Sequence, residues 1–568
     1  MSATSAAAIS PLLTSRHSSL AACAASRTCQ ERHEVRITNR PQYSRSWTHR
    51  RKTSARDAAC SIPLAVSSFL EHYPPARKRS AVGAQRAQGH LREREDMKQK
   101  LRLARSARLV AVLAVAAAVA VALVGASTSR AAGPVSHRIT VDPQMSGPQT
   151  ATQSTPALHH FSCQDATLAS GGRCYQPFQM QAAYNYAGLL SQGIDGSGKT
   201  IVIIDAFGSP TIAADLHDFD VEFGLPDPNF SIITPAGSPP AFDVNDGNMF
   251  GWAIETSLDV QWAHAMAPGA NIVLALAPSN NDQDILNVTK YVVDNKVGDV
   301  VSQSFGEAEG CVDPSLLSQE HAIFQKGVDE GITFFASSGD SGASQFNCDG
   351  TAAILAASSP ASDPNVTGVG GTTLLADSNT GAYGNETAWT EPLFGCNPPA
   401  IGPNDINCSG GGFSTIYGRP SWQQALVKGG DPHPGRGVPD VAYNAGASGG
   451  VLTHIGWALQ DLFGLPPDFP AFFAIGGTSA GSPQWAGLAA DAGQIAGHDL
   501  GNINQSLYQF GQAQQKYAAD FHDITTGNND VSELTGVQGY DTGTGWDPVT
   551  GLGSPNAGNL LPALAKKN

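Results

Sequence analysis

From residue 173 to the C-terminus the sequence predicts an α/β fold, a central parallel sheet with helices on both faces. Three observations carry that prediction. Short apolar runs recur along nearly 400 residues, and their continuous apolar character is that of strands buried on both faces. Stretches of helical periodicity lie between or after them, the alternation expected of a parallel sheet covered on both sides. Right-handed crossovers then gather the strands' C-terminal ends at one edge, where residues distant in sequence meet.

The predicted strands are 200–206, 271–277, 299–305, 332–338 and 471–476, and the predicted helices are 252–265, 314–330 and 479–494. The region holds no internal repeat and no low-complexity stretch. Ahead of it, residues 132–172 are rich in Ser, Thr, Pro, Gln and Gly and read as a linker. Residues 109–125 are an apolar run of Leu, Val, Ala and Gly. Five cations (Lys98, Lys100, Arg102, Arg105 and Arg108) precede it, and Ser129 and Ala131 follow at signal-peptidase spacing. Residues 97–131 therefore read as a secretory signal peptide, with a retained anchor as the alternative. Met97 stands where an initiator belongs. Residues 1–96, rich in Arg, Ser and Ala, read as an over-extended reading frame or else a disordered basic arm.

Charge divides the chain in the same place. Residues 132–568 hold 12 Lys and Arg against 42 Asp and Glu, a formal charge of about −30. Such a surface disfavours nucleic acid and anionic membranes. It relaxes as pH falls and can hold divalent cations, or it can serve solubility alone. Six cysteines follow the signal, an even number that suggests disulfides in an exported chain. Fifteen connectivities are open; loop closure favours Cys163–Cys174, Cys311–Cys348 and Cys396–Cys408.

Four constellations carry chemistry. Residues 476–483 read Gly-Gly-Thr-Ser-Ala-Gly-Ser-Pro, between an apolar strand and an apolar helix. This places Ser479 at a helix N-terminus, where N–H groups favour negative charge, although a serine there can simply be a cap. Glu255 and Asp259 are i and i+4, so both carboxylates emerge on one helix face, as a proton-sharing pair or an acidic solvent face. The strand 332–338 runs into a polar turn with Asp340 between Gly339 and Ser341-Gly342. A protonated Asp340 can donate a hydrogen bond; an Asx-turn is the plainer reading. Finally Asp523-Ile524 and the run Gly543-Thr-Gly-Trp-Asp547 offer two carboxylates and glycine-opened carbonyls, a set suited to a hard oxygen-liganded ion.

The Gly-Thr-Ser-x-x-x-Pro segment resembles the nucleophile turn of subtilisin-like peptidases. The Glu255-Thr-Ser-Leu-Asp259 string ahead of Ala-Pro-Gly-Ala, the aspartate at 340 and the C-terminal Trp-Asp-Pro-Val-Thr-Gly-x-Gly resemble the sedolisins, the serine-carboxyl peptidases of that fold. The resemblance covers roughly residues 175–568. It implies Ser479 as nucleophile, Glu255 as general base, Asp259 orienting it and Asp340 stabilising the oxyanion. It also implies that Val301–Gly306, through Ser304 and Gly306, clamps a peptide against Ser337–Gly339. It implies one structural Ca2+ on the Asp523 and Asp547 carboxylates and the carbonyls of Ile524, Gly543 and Gly545. The enzyme so implied is a secreted monomer that hydrolyses proteins or peptides through an acyl-enzyme. It acts at acidic pH, because glutamate accepts protons and aspartate stays protonated only there. Mature, it engages no nucleic acid and no membrane. One departure stands out: sedolisins carry a large N-terminal propeptide, and only about forty linker-like residues lie here between signal and catalytic region.

Two rival readings keep the same scaffold. Asp205 ends the first strand and His264 lies nine residues past Glu255, so a histidine-based hydrolase is one rival. A catalytically inactive or binding protein is the other.

Overall fold

The computed structural model describes residues 173–391, 407–429, 434–458 and 471–567, and ahead of them 138–139, 141, 143–149, 151–152 and 160–165. The proposed signal peptide, the extension before it and Cys396 lie outside the described residues.

A central eight-stranded sheet organises the fold. Its strands run in the order Tyr383–Ala388, Val366–Ala376, Thr333–Ser337, Val300–Gln303, Thr200–Ala206, Asn271–Ala277 and Phe230–Ile233, and Val441–Asn444 also pairs with Val366–Ala376. Every pairing is parallel except that of the edge strand Tyr383–Ala388. The predicted strands at 200–206 and 271–277 have those bounds; those at 299–305 and 332–338 are a residue or two shorter at their ends.

Both faces are buried, which is why these strands read as unbroken apolar runs. Ile201 and Ile203 point into one core with Leu258, Trp262, Met266, Trp485 and Leu488 of the helices Gly247–Met266 and Gly481–Ala496. Val202 and Ile204 point into the other, against Ile285, Val288 and Val292 of helix Asp282–Asp294 and Phe324 of helix Pro314–Asp329. Each aliphatic side chain removed from water contributes about 1.5–3 kcal/mol, so the alternation fixes the strand's place.

The strand predicted at 471–476 exists as Phe472–Gly476, but not in the parallel sheet. It runs antiparallel between Gly449–His454 and Gln144–Gln149 in a separate four-stranded sheet that Arg173–Tyr175 completes. All five of its residues are buried, so its apolar pattern is the same as that of a parallel strand. Part of the linker-like stretch is thus a strand of the folded unit. Disulfides join Cys163–Cys174 and Cys311–Cys348, as loop closure favours. Cys408 is disulfide-bonded too. No helix among the described residues is long and apolar enough to cross a membrane.

Candidate active site

Three chain segments converge at the C-terminal edge of the sheet. The first is the turn after Phe472–Gly476. Gly477 adopts φ 122°, a conformation side chains rarely take, and a Cβ there would stand 2.7 Å from Asp340 Oδ2. The chain then forms a single 3₁₀ turn, Thr478–Ala480, before helix Gly481–Ala496, whose first turn accommodates Pro483. Ser479 is buried in that turn. Its hydroxyl donates to Ser304 O at 3.3 Å, and the Ser304 hydroxyl donates back to Ser479 O at 3.3 Å. Both contacts are long for O–H···O, so the Ser479 hydroxyl is lightly held.

The second segment follows strand Thr333–Ser337. Asp340 Oδ1 accepts from the Thr478 amide at 2.8 Å and the Thr478 hydroxyl at 2.6 Å. Gly339 N–H in turn donates to the Thr478 hydroxyl at 3.2 Å. Thr478 thereby fixes the carboxyl next to Ser479 with Oδ2 turned toward Gly477. Burial pushes Asp340 up to about 6, although both Thr478 contacts pull it down. From behind, Gly410 N–H donates to Gly339 O at 2.7 Å and Cys408 N–H to Asp340 O at 2.9 Å. A Cβ at Gly410 would stand 2.2 Å from Ser338 O, so only glycine fits there. The sequence reading singled out neither Thr478 nor Gly410. Adjacency to Ser479 was a signal for the first; for the second a local sequence signal is lacking.

The third segment is helix Gly247–Met266, capped by Asp246 accepting from Asn248 and Met249. It packs against the Ser479 turn and carries Glu255 and Asp259, both wholly buried. They are therefore not on a solvent face. Burial raises Asp259 well above the ordinary aspartate range; the charges of Asp205 and Glu255 add to the rise, and the Ser304 hydroxyl opposes it. Asp205 is a third buried acid, at the end of the otherwise apolar strand Thr200–Ala206. Burial pushes it up to about 7 against the pull of the Thr256 hydroxyl. Asp205 and Asp259 share one low-dielectric pocket with Glu255, and the titrations of the two aspartates are linked.

The histidine rival fails on geometry. His264, one turn from the far end of the helix, pairs with Asp220 at 3.2 Å and with Pro226 O at 2.9 Å. Among the described residues no histidine pairs with Asp205 or Asp259.

The four predicted substrate contacts divide. Ser304 and Gly339 border the Ser479 turn. Ser337 pairs with Val369 within the sheet. Gly306 is approached by the chain itself: a Cβ there would meet Ser358 Oγ at 2.2 Å, and Glu307 pairs with Ser359.

At the C-terminal loop, Asp523 and Asp547 reach one glycine turn. Gly545 N–H donates to Asp523 at 3.0 and 3.2 Å, and Gly543 N–H to Asp547 Oδ2 at 3.2 Å. Burial pushes Asp547 up to about 6 despite hydrogen bonds from Thr550, Gly543 and Val549. Among the described residues no Lys or Arg pairs with either acid. Two converging carboxylates without a cationic partner form a donor set that fits a hard cation.

The Subtilase family profile matches residues 247–500, which span the helix of Glu255 and Asp259 and the Ser479 turn. Kumamolisin of Bacillus sp. (strain MN-32) is 34% identical over 400 residues, 69% of this chain and 63% of that protein. Sedolisin of Pseudomonas sp. (strain 101) is 30% identical over 421 residues, 73% of this chain and 65% of that protein. The chain belongs to the sedolisin family. A solved structure of Pseudomonas sedolisin (serine-carboxyl proteinase), complexed with two molecules of pseudo-iodotyrostatin, superposes with a TM-score of 0.57. It is 29% identical and aligns over 69% of this chain and 97% of that one. The α/β fold of this sedolisin-family chain is thus subtilisin-like. It spans just under two thirds of the length of these two curated relatives.

Proposed function

We propose that the protein is an exported serine-carboxyl peptidase that hydrolyses protein or peptide substrates at acidic pH. The observation that carries this reading is the pair of wholly buried acids, Glu255 and Asp259, on the helix packed against the Ser479 turn. In this mechanism Glu255 takes the Ser479 proton as the hydroxyl attacks a peptide carbonyl, and Asp259 holds Glu255 in place. Protonated Asp340 donates from Oδ2 to the oxyanion, since Thr478 already engages Oδ1. The acyl-enzyme then hydrolyses, with Glu255 activating water. Bound calcium would be held by Asp523, Asp547 and the carbonyls of Ile524, Gly543 and Gly545, where it neutralises the two acids and ties the loop.

The test is chemical and kinetic. A peptide aldehyde should label Ser479 covalently at acidic pH. Ser479→Ala and Glu255→Gln should each remove peptidase activity while circular dichroism stays that of the parent. Turnover above a few per cent of the parent's in either variant refutes the assigned role.

A further inference from the structure

The two segments that border the Ser479 turn run on into loops that are tied to each other. After Gly306 the chain pairs Glu307 and Ala308 with Ser359 and Ser358, and Glu309 N–H donates to Ala357 O at 3.0 Å. The Glu309 carboxylate accepts from the Ser414 hydroxyl at 2.6 Å and the Thr415 hydroxyl at 2.9 Å, so this loop is anchored. On the other side, Asp340 leads into a hairpin, Ser344–Phe346 paired with Ala353–Leu355. Gln345 Nε2 stands 2.7 Å from where a Cβ on Gly339 would be, so the hairpin overhangs Gly339. The hairpin has little core of its own: Ile354 and Leu355 are exposed, and so are Cys348, Asp349 and Gly350 at its turn. A two-stranded hairpin is marginal by itself in water. A disulfide joins its turn to the anchored loop, between Cys348 and Cys311, 37 residues apart.

We propose that the Cys311–Cys348 bridge is a positioning element of the active site, which sets the spacing of the Ser304–Gly306 and Gly339–Asp340 segments and thereby holds Asp340 at the Ser479 turn. This rests on the peptidase reading above. The path from bridge to site is short. Gly339 N–H donates to the Thr478 hydroxyl, and the Thr478 amide and hydroxyl both end on Asp340 Oδ1. When the hairpin lifts, Gly339 and Asp340 move with it and water reaches the carboxyl. Burial is what raises Asp340, and the two Thr478 hydrogen bonds oppose it. The segments packed against it, Gly477–Ser479 and Cys408–Gly410, carry no ionisable side chain, Cys408 being disulfide-bonded. Opening the bridge therefore moves Asp340 back toward the ordinary aspartate range and takes the oxyanion donor out of line. Misplacing a catalytic group by about 1 Å costs up to about a hundredfold in rate.

The test opens this bridge in the folded full chain. A water-soluble phosphine cleaves disulfides in acid: phosphorus is oxidised to the phosphine oxide with oxygen from water, and the bridge takes up two electrons and two protons to give two thiols. Cys348 is exposed, whereas Cys163, Cys174 and Cys408 are buried, so Cys311–Cys348 should open first, as alkylation and peptide mass mapping will verify. In acid, kcat on a peptide substrate should then fall about tenfold. The upper pH limb should move from near 6 by about one unit toward acid, and reoxidation should restore both. Cys311→Ser/Cys348→Ser should match the reduced parent, and Cys163→Ser/Cys174→Ser should keep the parent's limb. Parent-like kcat and limb with the bridge open overturn the proposal, as does an equal acid shift in Cys163→Ser/Cys174→Ser. Unfolding on reduction, read by circular dichroism, also overturns it and makes the bridge a staple of the fold. If the parent turns over no substrate and the aldehyde leaves Ser479 unlabelled, the peptidase reading is what fails. Hydrogen exchange of the reduced chain then decides for the bridge if residues 339–346 and 476–480 exchange faster and against it if they do not.

Discussion

Replacing Asp340 by Asn separates an oxyanion donor from a bystander. In the proposed mechanism Asp340 donates only when protonated, and burial pushes its pKa up to about 6. With that value, about half of the molecules are competent at pH 6 and about one in eleven at pH 7, so activity should fall about tenfold per unit above the limb. Asparagine keeps the Oδ1 that accepts from the Thr478 amide and hydroxyl, and puts a non-titrating N–H where Oδ2 stood. Below pH 5 the variant should be slower than the parent. The loss should stay within the 10²–10³ that removal of an oxyanion donor typically costs. Above pH 6 its limb should move toward neutrality, and the ratio of variant to parent kcat should climb with pH. The assay is kcat/KM and kcat on one peptide substrate from pH 3 to 8. An upper limb that stays near pH 6 in Asp340→Asn would refute the argument and assign the ionisation to the Asp205–Glu255–Asp259 set.

Calcium removal should lower Tm, since an ion bound only to the native state stabilises it by about 2.7 kcal/mol at a hundredfold excess over Kd; Asp547→Ala should reproduce the loss, and an unchanged Tm in chelator and in the variant counts against the site. Thermal stability should also be greatest in acid. Burial raises Asp205 to about 7, Glu320 to about 8 and Glu307 to about 9, with Asp282 adding to the rise at Glu307. The folded state then binds more protons than the unfolded chain, so stability is full below about pH 4 and falls as pH rises through those values. Melting Ser479→Ala from pH 4 to 8 at saturating calcium should show that decline, and Glu307→Gln should flatten it. A Tm that rises across this range contradicts the sign.

Most of the candidate site was legible as local pattern. The Gly-Gly-Thr-Ser turn, the i, i+4 acids and the Asp340 turn each depend on backbone geometry that a few neighbouring residues set, so type and spacing suffice to find them. The parallel strands were legible for the same reason: burial on both faces leaves Val202 and Ile204 as apolar as Ile201 and Ile203. Tertiary structure decided what depends on distant partners. Phe472–Gly476 is as buried as any parallel strand, and only its pairing with Gly449–His454 and Gln144–Gln149 gives its sheet and direction. Asp205, readable as the partner of a histidine, instead lies with Asp259, because His264 is turned to Asp220. The raised pKa of Asp340 comes from burial by segments far along the chain, including Cys408–Gly410, and desolvation is a property of the packed surroundings rather than of the residue.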